Sequence, residues 1–201
     1  MYYFVRKFTI AKLGDIADKD NVDLDLISSG AYTSCLRTKD NKLSIWKICC
    51  NIENEEELTN ELEKIALAMV TSFDEIRNID FIYFSENDIN KLKKEKSEGN
   101  TPIKDLSDKH EDLEAKTLKG LKYIANVYIN SIRNKQIRRF NKGQVEKIVD
   151  DAINNKLLTR ENSRLITNMG IIEKLGLIEY CNECGNKVDL RKPKNEQLMF
   201  I

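Results

Sequence analysis

The chain has 201 residues, 41% apolar and 33% charged, with 33 Lys and Arg balanced by 33 Asp and Glu. That length suits one larger domain, or a main domain with a small appendage, and the apolar share is enough for a packed core. A zero net charge excludes a histone-like coat for polyanions, and eight glycines with two prolines exclude a fibrous or disordered chain.

The opening MYYFVRKFTI has no long apolar run behind a basic stretch, so no secretory signal is expected there. No segment approaches the roughly 18 consecutive apolar residues of a membrane span. Five cysteines, an odd number with Cys49 and Cys50 adjacent, read as reduced thiols, and a cytoplasmic location is expected.

Residues 2–10 mix aromatic and β-branched side chains as a strand does. Residues 22–37 stay ambiguous, since Val22, Leu24 and Leu26 alternate before SSG breaks the pattern and AYTSCLRT follows. DNK at 40–42 is a turn and LSIWKICC at 43–50 a second strand, with Trp46, Ile48 and Cys50 on a core face. Leu58, Leu62, Ile65, Ala66, Met69 and Phe73 then recur at helical spacing. Asn54 is its expected cap, and Glu55, Glu56 and Glu57 complement the positive end of the helix dipole. IDFIYF at 79–84 is apolar almost throughout and is expected in the sheet interior.

Polar KLKKEKSEGNTPIK, residues 91–104, reads as a loop or linker. Leu106, Leu113, Leu121, Ile124, Ala125, Tyr128 and Ile132 are expected on one long helix. His110 then falls at its polar start as a solvated residue. A further helix is predicted over 144–155. Another begins at Thr159, carries Leu165, Ile166, Met169, Ile172 and Leu175, and ends at Gly176. LIEY and NKVDLRK are strands of a closing hairpin. The fold class is therefore α+β. A small mixed sheet with helices occupies 1–95, a loop 96–104, a long connecting helix 105–140, and a helical region ending in a β-hairpin 141–201.

The hairpin tip carries Cys181 and Cys184 in a C-x-x-C-G step. A structural zinc takes four ligands, usually from two such steps, and no second step is present. Cys35, Cys49 and Cys50 lie far upstream in apolar surroundings that suit buried thiols. A hairpin tip without a cofactor is the first reading, and zinc at Cys181 and Cys184 the second.

The segment IIEKLGLIEY resembles the junction of last helix and wing in winged-helix domains. The resemblance covers residues 141–192, about a quarter of the chain. It departs from the family in that TNMG at 167–170 is the only turn between two helices, which leaves the second helix very short. What the resemblance implies is a nucleic-acid-binding unit.

INSIRNKQIRRFNKG, residues 129–143, carries Arg133, Lys135, Arg138, Arg139 and Lys142 without one acid, and the wing adds Lys187, Arg191 and Lys192. Cations at a helix end and on a wing suit phosphate contacts. They also suit the negative end of a helix dipole. The expected function is non-catalytic binding of nucleic acid, DNA ahead of RNA, by an accessory subunit. Alternatives are a protein-interaction subunit, with another protein or a second copy as partner, and a metal-dependent nuclease using Asp23, Asp25 and Lys47. No phosphate-binding glycine loop or nucleophile elbow is present, and a single histidine cannot build a metal cluster.

Overall fold

Side-chain alternation along β1 (Tyr2–Phe8) sets the layering in the computed structural model, which describes residues 2–9, 36, 39–181 and 185–192. Successive strand residues point to opposite faces. Tyr3 and Val5 therefore enter one core, and Phe4 and Phe8 the other. β2 (Lys42–Cys49) divides in the same way, with Trp46 and Ile48 beside Tyr3, and Leu43 and Ile45 beside Phe4. In β3 (Ile79–Ser85), Ile79, Phe81 and Tyr83 face the first core while Ile82 and Phe84 face the second. The apolar run of this strand, interrupted only by Asp80 before its final Ser85, follows from its place between two neighbours and two helical layers.

The sheet has six strands in the order β4 (Lys94–Lys96), β5 (His110–Glu114), β2, β1, β3, β6 (Ile137–Phe140), all antiparallel. The first core is covered by α1 (Glu55–Val70), and α4 (Lys142–Asn154) and α5 (Met169–Lys174) join it there. α3 (Leu118–Arg133) covers the second through Ile124, Val127, Tyr128 and Ile132. A one-turn α2 (Lys104–Ser107), 3-10 turns at Glu86–Ile89 and Ser163–Leu165, and the ribbon of β7 (Ile178–Tyr180) and β8 (Lys187–Asp189) complete the described elements. The fold is α+β, and no helix among the described residues is long and apolar enough to cross a membrane.

α1 begins as its sequence predicts. The Asn54 side chain accepts hydrogen bonds from the amides of Glu56 and Glu57, and the three glutamates occupy the first turn. Trp46, Ile48 and Cys50 are buried in the first core, and burial pushes the Cys50 thiol up from its ordinary value. Cys49 is exposed, against the expectation of a buried thiol. The ambiguous stretch 22–37 lies outside the described residues except for Leu36.

The single helix expected over 105–140 is replaced by α2, β5, α3 and β6. Pairing overrides the helical propensity of HEDLE: β5 lies along β2 from Lys42 opposite Glu114 to Trp46 opposite His110. At the other end Asn134 caps α3, Lys135 takes a positive φ of 55°, and the chain returns as β6 along β3. The loop before α2 also contains a strand, β4. The Glu95 carboxyl there is held down to about 2 by Lys42 and Lys93.

His110 is correspondingly buried, at 8% exposure, rather than solvated. Its Nδ1 lies 2.8 Å from Ser97 Oγ, and its ring meets Trp46 edge-on at 4.9 Å between centroids. The loop crosses this pair at Gly99, where an added Cβ would stand 2.4 Å from the Trp46 ring. The helix expected from Thr159 is also shorter. The backbone amide of Thr167 donates to the Thr71 carbonyl and Asn168 Nδ2 to that of Val70, which draws the chain out of helix. Asn168 then caps the six-residue α5, and Gly176, at φ +66°, follows it as predicted.

Burial is the main cause that lowers the His110 pKa below its ordinary 6.5, with Arg6 acting in the same direction and Asp112 against. The unfolded chain therefore takes up the proton more readily than the folded one. The contribution of His110 to stability is complete above pH 6.5 and is lost as pH falls through the lower folded value. Denaturant midpoints measured between pH 7.5 and 5 should fall, and His110→Gln should flatten that dependence.

Candidate nucleic-acid interface

Arg138 and Arg139 are neighbours in β6 and so leave opposite faces of the sheet. Arg138 turns toward α1 and pairs with Glu55 in its first turn. Arg139 faces the other way and grips both oxygens of Asp80, its partner across the β3–β6 ladder, at 2.7 and 3.0 Å. Asp80 is buried, and its carboxylate raises Arg139 above its ordinary value. A bidentate guanidinium contact is among the stronger charge-assisted arrangements, and here it is spent on holding the sheet.

The wing cations are engaged in the same manner. Lys187 reaches Glu173 at 2.9 Å, and the Tyr180 hydroxyl donates to the same carboxylate at 2.8 Å. Arg191 donates to Asp189 through Nε and Nη2, and through Nη1 to the carbonyls of Ser163 and Ile166 at 2.8 and 2.6 Å. Its guanidinium holds the Asp189 carboxyl below the usual range. Lys142 opens α4, where its amide donates to Asn78 and its ammonium stands 3.9 Å from Glu146. Lys192 is half-buried, and its amide donates to the Asp189 carbonyl.

Cys181 accepts the Gly185 amide at its carbonyl and donates its own amide to Asn186, which closes the hairpin. Cys184, Cys35, Asp23 and Asp25 lie outside the described residues. Lys47 stands over the Tyr2 ring at 3.8 Å. Among the described residues no three His, Cys, Asp or Glu side chains are grouped to hold a metal.

Arg133 and Lys135 are exposed at the end of α3 and just beyond it, as are Arg139 and Lys142 further on. They extend a feature that the sequence reading missed. From Ala115 to Val145 the chain has no acid and eight Lys and Arg. α3 lies inside that run. Its inner side is apolar, and Lys119, Lys122, Asn126, Asn130 and Arg133 are exposed at the three- and four-residue steps that share a helix face. At about 1.5 Å per residue, the line from Lys119 to Arg133 runs roughly 21 Å.

At the N-terminal end of this face a groove of about 470 Å³ is lined by Lys91, Leu92, Lys119, Lys122, Tyr123 and Asn126, together with Thr117 and Gly120, and by no carboxylate. The Tyr123 hydroxyl donates to the Asp88 carbonyl at 2.7 Å, and Lys91 stands 5.7 Å from its ring centroid. The nearby acids are otherwise occupied: Asp88 closes a capping box with Ser85, Glu86 pairs with Lys94, and Glu114 with Lys93 and Lys116. The α3 face and the groove lining therefore carry cations with no carboxylate among them, although the chain is neutral overall. Comparison with protein families, with curated proteins and with solved structures returned no match.

Removing one partner of a fully buried ion pair costs about 3–5 kcal/mol. Arg139 keeps 42% of its side chain in solvent while Asp80 keeps 7%, which reduces that cost. Arg139→Ala is expected to lower unfolding stability by about 1–2 kcal/mol in denaturant titrations, and to leave any affinity for polyanions within twofold.

Proposed function

We propose that the chain is a non-catalytic, cytoplasmic nucleic-acid-binding protein, an accessory subunit whose phosphate-contacting surface is the outer face of α3. The observation that carries this reading is the line of Lys119, Lys122, Asn126, Asn130 and Arg133, exposed on a helix that has no acid. Ammonium and guanidinium groups neutralise phosphates and release counterions, while asparagine amides add hydrogen bonds to phosphate or sugar. A rise of about 3.4 Å per nucleotide lets the face cover some six nucleotides of a duplex strand.

A winged-helix-like unit over 141–192 is supported by the order α4, α5, β7, β8. Its α5, with six residues, is short for a helix that enters a groove, so phosphate contact is assigned to α3. Arg138, Arg139, Lys187 and Arg191 serve the fold in this reading. A protein-interaction role is the second reading, favoured by the exposed Leu157, Leu165 and Tyr180 in the last third of the chain.

Anisotropy titrations of a labelled oligonucleotide test the proposal. Affinity should fall with added salt, with a log–log slope of about −3 to −4 on a duplex and about −2 to −3 on a single strand for three or four phosphates. The double substitution Lys122→Glu with Arg133→Glu should weaken binding at least tenfold, and Lys187→Ala should not. Absence of binding at 50 mM salt would remove the reading. Stoichiometric capture of a protein, unchanged by the same charge reversal, would favour the second.

A further inference from the structure

We propose, resting on the α3 reading above, that the groove at the N-terminal end of α3 takes one unstacked nucleotide, so that the protein prefers single-stranded nucleic acid to duplex. The groove is large enough for such a ligand: about 470 Å³ falls within the roughly 300–1,000 Å³ of small-molecule sites. Its lining divides into two chemistries. Tyr123 and Leu92 form an apolar flank, and Lys91, Lys119 and Lys122 supply three ammonium groups without a carboxylate among them.

That combination matches a nucleotide. A base presents a π-face to an aromatic ring whatever its identity, and its phosphate meets the lysines. The Tyr123 ring is fixed in advance by the bond from its hydroxyl to the Asp88 carbonyl, so little side-chain freedom is lost on stacking. Asn126, also in the lining, offers a donor and an acceptor to a base edge. In a duplex the bases are paired and stacked, and none is available to the groove without being flipped out at a cost. A single strand offers bases at a lower cost, because no pairing is broken.

Gly120 is part of the groove's lining and carries no side chain. A Cβ there would meet Thr117 Oγ1 at 3.5 Å, the Ala115 Cα at 3.8 Å and Leu92 Cδ2 at 3.9 Å, ordinary contacts, so a β-carbon is tolerated at this position of the lining. Leu118, 85% exposed next to Lys119, would also suit an anionic membrane surface. The fixed aromatic ring within a cavity favours the nucleotide, and the membrane becomes an outcome of the test.

Full-length protein is titrated in 50 mM salt with labelled 12-mers, single-stranded DNA, single-stranded RNA and duplex, and separately with vesicles of anionic phospholipid. The expected result is single-strand affinity at least tenfold above duplex. Tyr123→Phe should stay within threefold of the parent, and Tyr123→Leu should lose about tenfold. Gly120→Leu, which fills the groove and spares the ring, should lose as much, and covers the case in which Tyr123→Leu fails to fold. Equal single-strand and duplex affinity, insensitive to Tyr123→Leu and Gly120→Leu but lost in the Lys122→Glu, Arg133→Glu protein, overturns the groove and leaves α3 as the interface. No nucleic-acid binding overturns both, and vesicle binding without oligonucleotide binding assigns the groove's lysines to lipid headgroups instead.

Discussion

β1 and β3 are apolar on both sides, and a sheet built around them has no face that can be left in water. Everything else is arranged to cover those two faces. On one side α1 supplies Leu58, Leu62, Ile65 and Ala66, with α4 and α5 closing over the same cluster. On the other, α3 lays Ile124, Tyr128 and Ile132 over Phe4, Phe8 and Phe84. Tyr128 meets Phe8 edge-on at 6.1 Å and Phe84 at 5.9 Å, separations at which aromatic pairs add about 0.5–1.5 kcal/mol beyond the area they bury.

The same requirement explains why α3 turns its polar residues outward. Its inner residues are committed to the second core, so its charged residues stand on the outside in one line. The arginines that follow it fare differently because they lie in a strand. Alternation sends one toward Glu55 and the next toward Asp80, and each finds a carboxylate fixed by a neighbouring element. Local charge bias in sequence thus becomes a surface field on the helix and internal cross-links on the strand.

Much of the frame was legible in the sequence. The strands at β1, β2 and β3, the Asn54 cap, the α1 stripe and the Gly176 stop all arise from local chemistry: periodicity, a side chain accepting its own helix's amides, a left-handed backbone. β5 and β6 were not legible, because HEDLE and IRRF are short and polar and owe their extension to the strands beside them. His110 was misplaced for the same reason, since only pairing with β2 brings it against Trp46. Half of the candidate interface was visible. The acid-free run was recognised from Ile129 onward, but the lysines at 119 and 122 were hidden inside a helix drawn too long. The carboxylates that occupy Arg138, Arg139 and Lys187 are distant in sequence or presented by another element, and charge counting cannot anticipate them.

The Arg191 guanidinium bonds Asp189 in its own ribbon and two carbonyls, of Ser163 and Ile166, 28 and 25 residues upstream. A two-stranded ribbon is marginal in isolation. Latched in this way, β7 and β8 share the stability of the layer beneath them, and their amides should exchange with solvent on the slow timescale of that layer, not with the rapid fraying of a free hairpin.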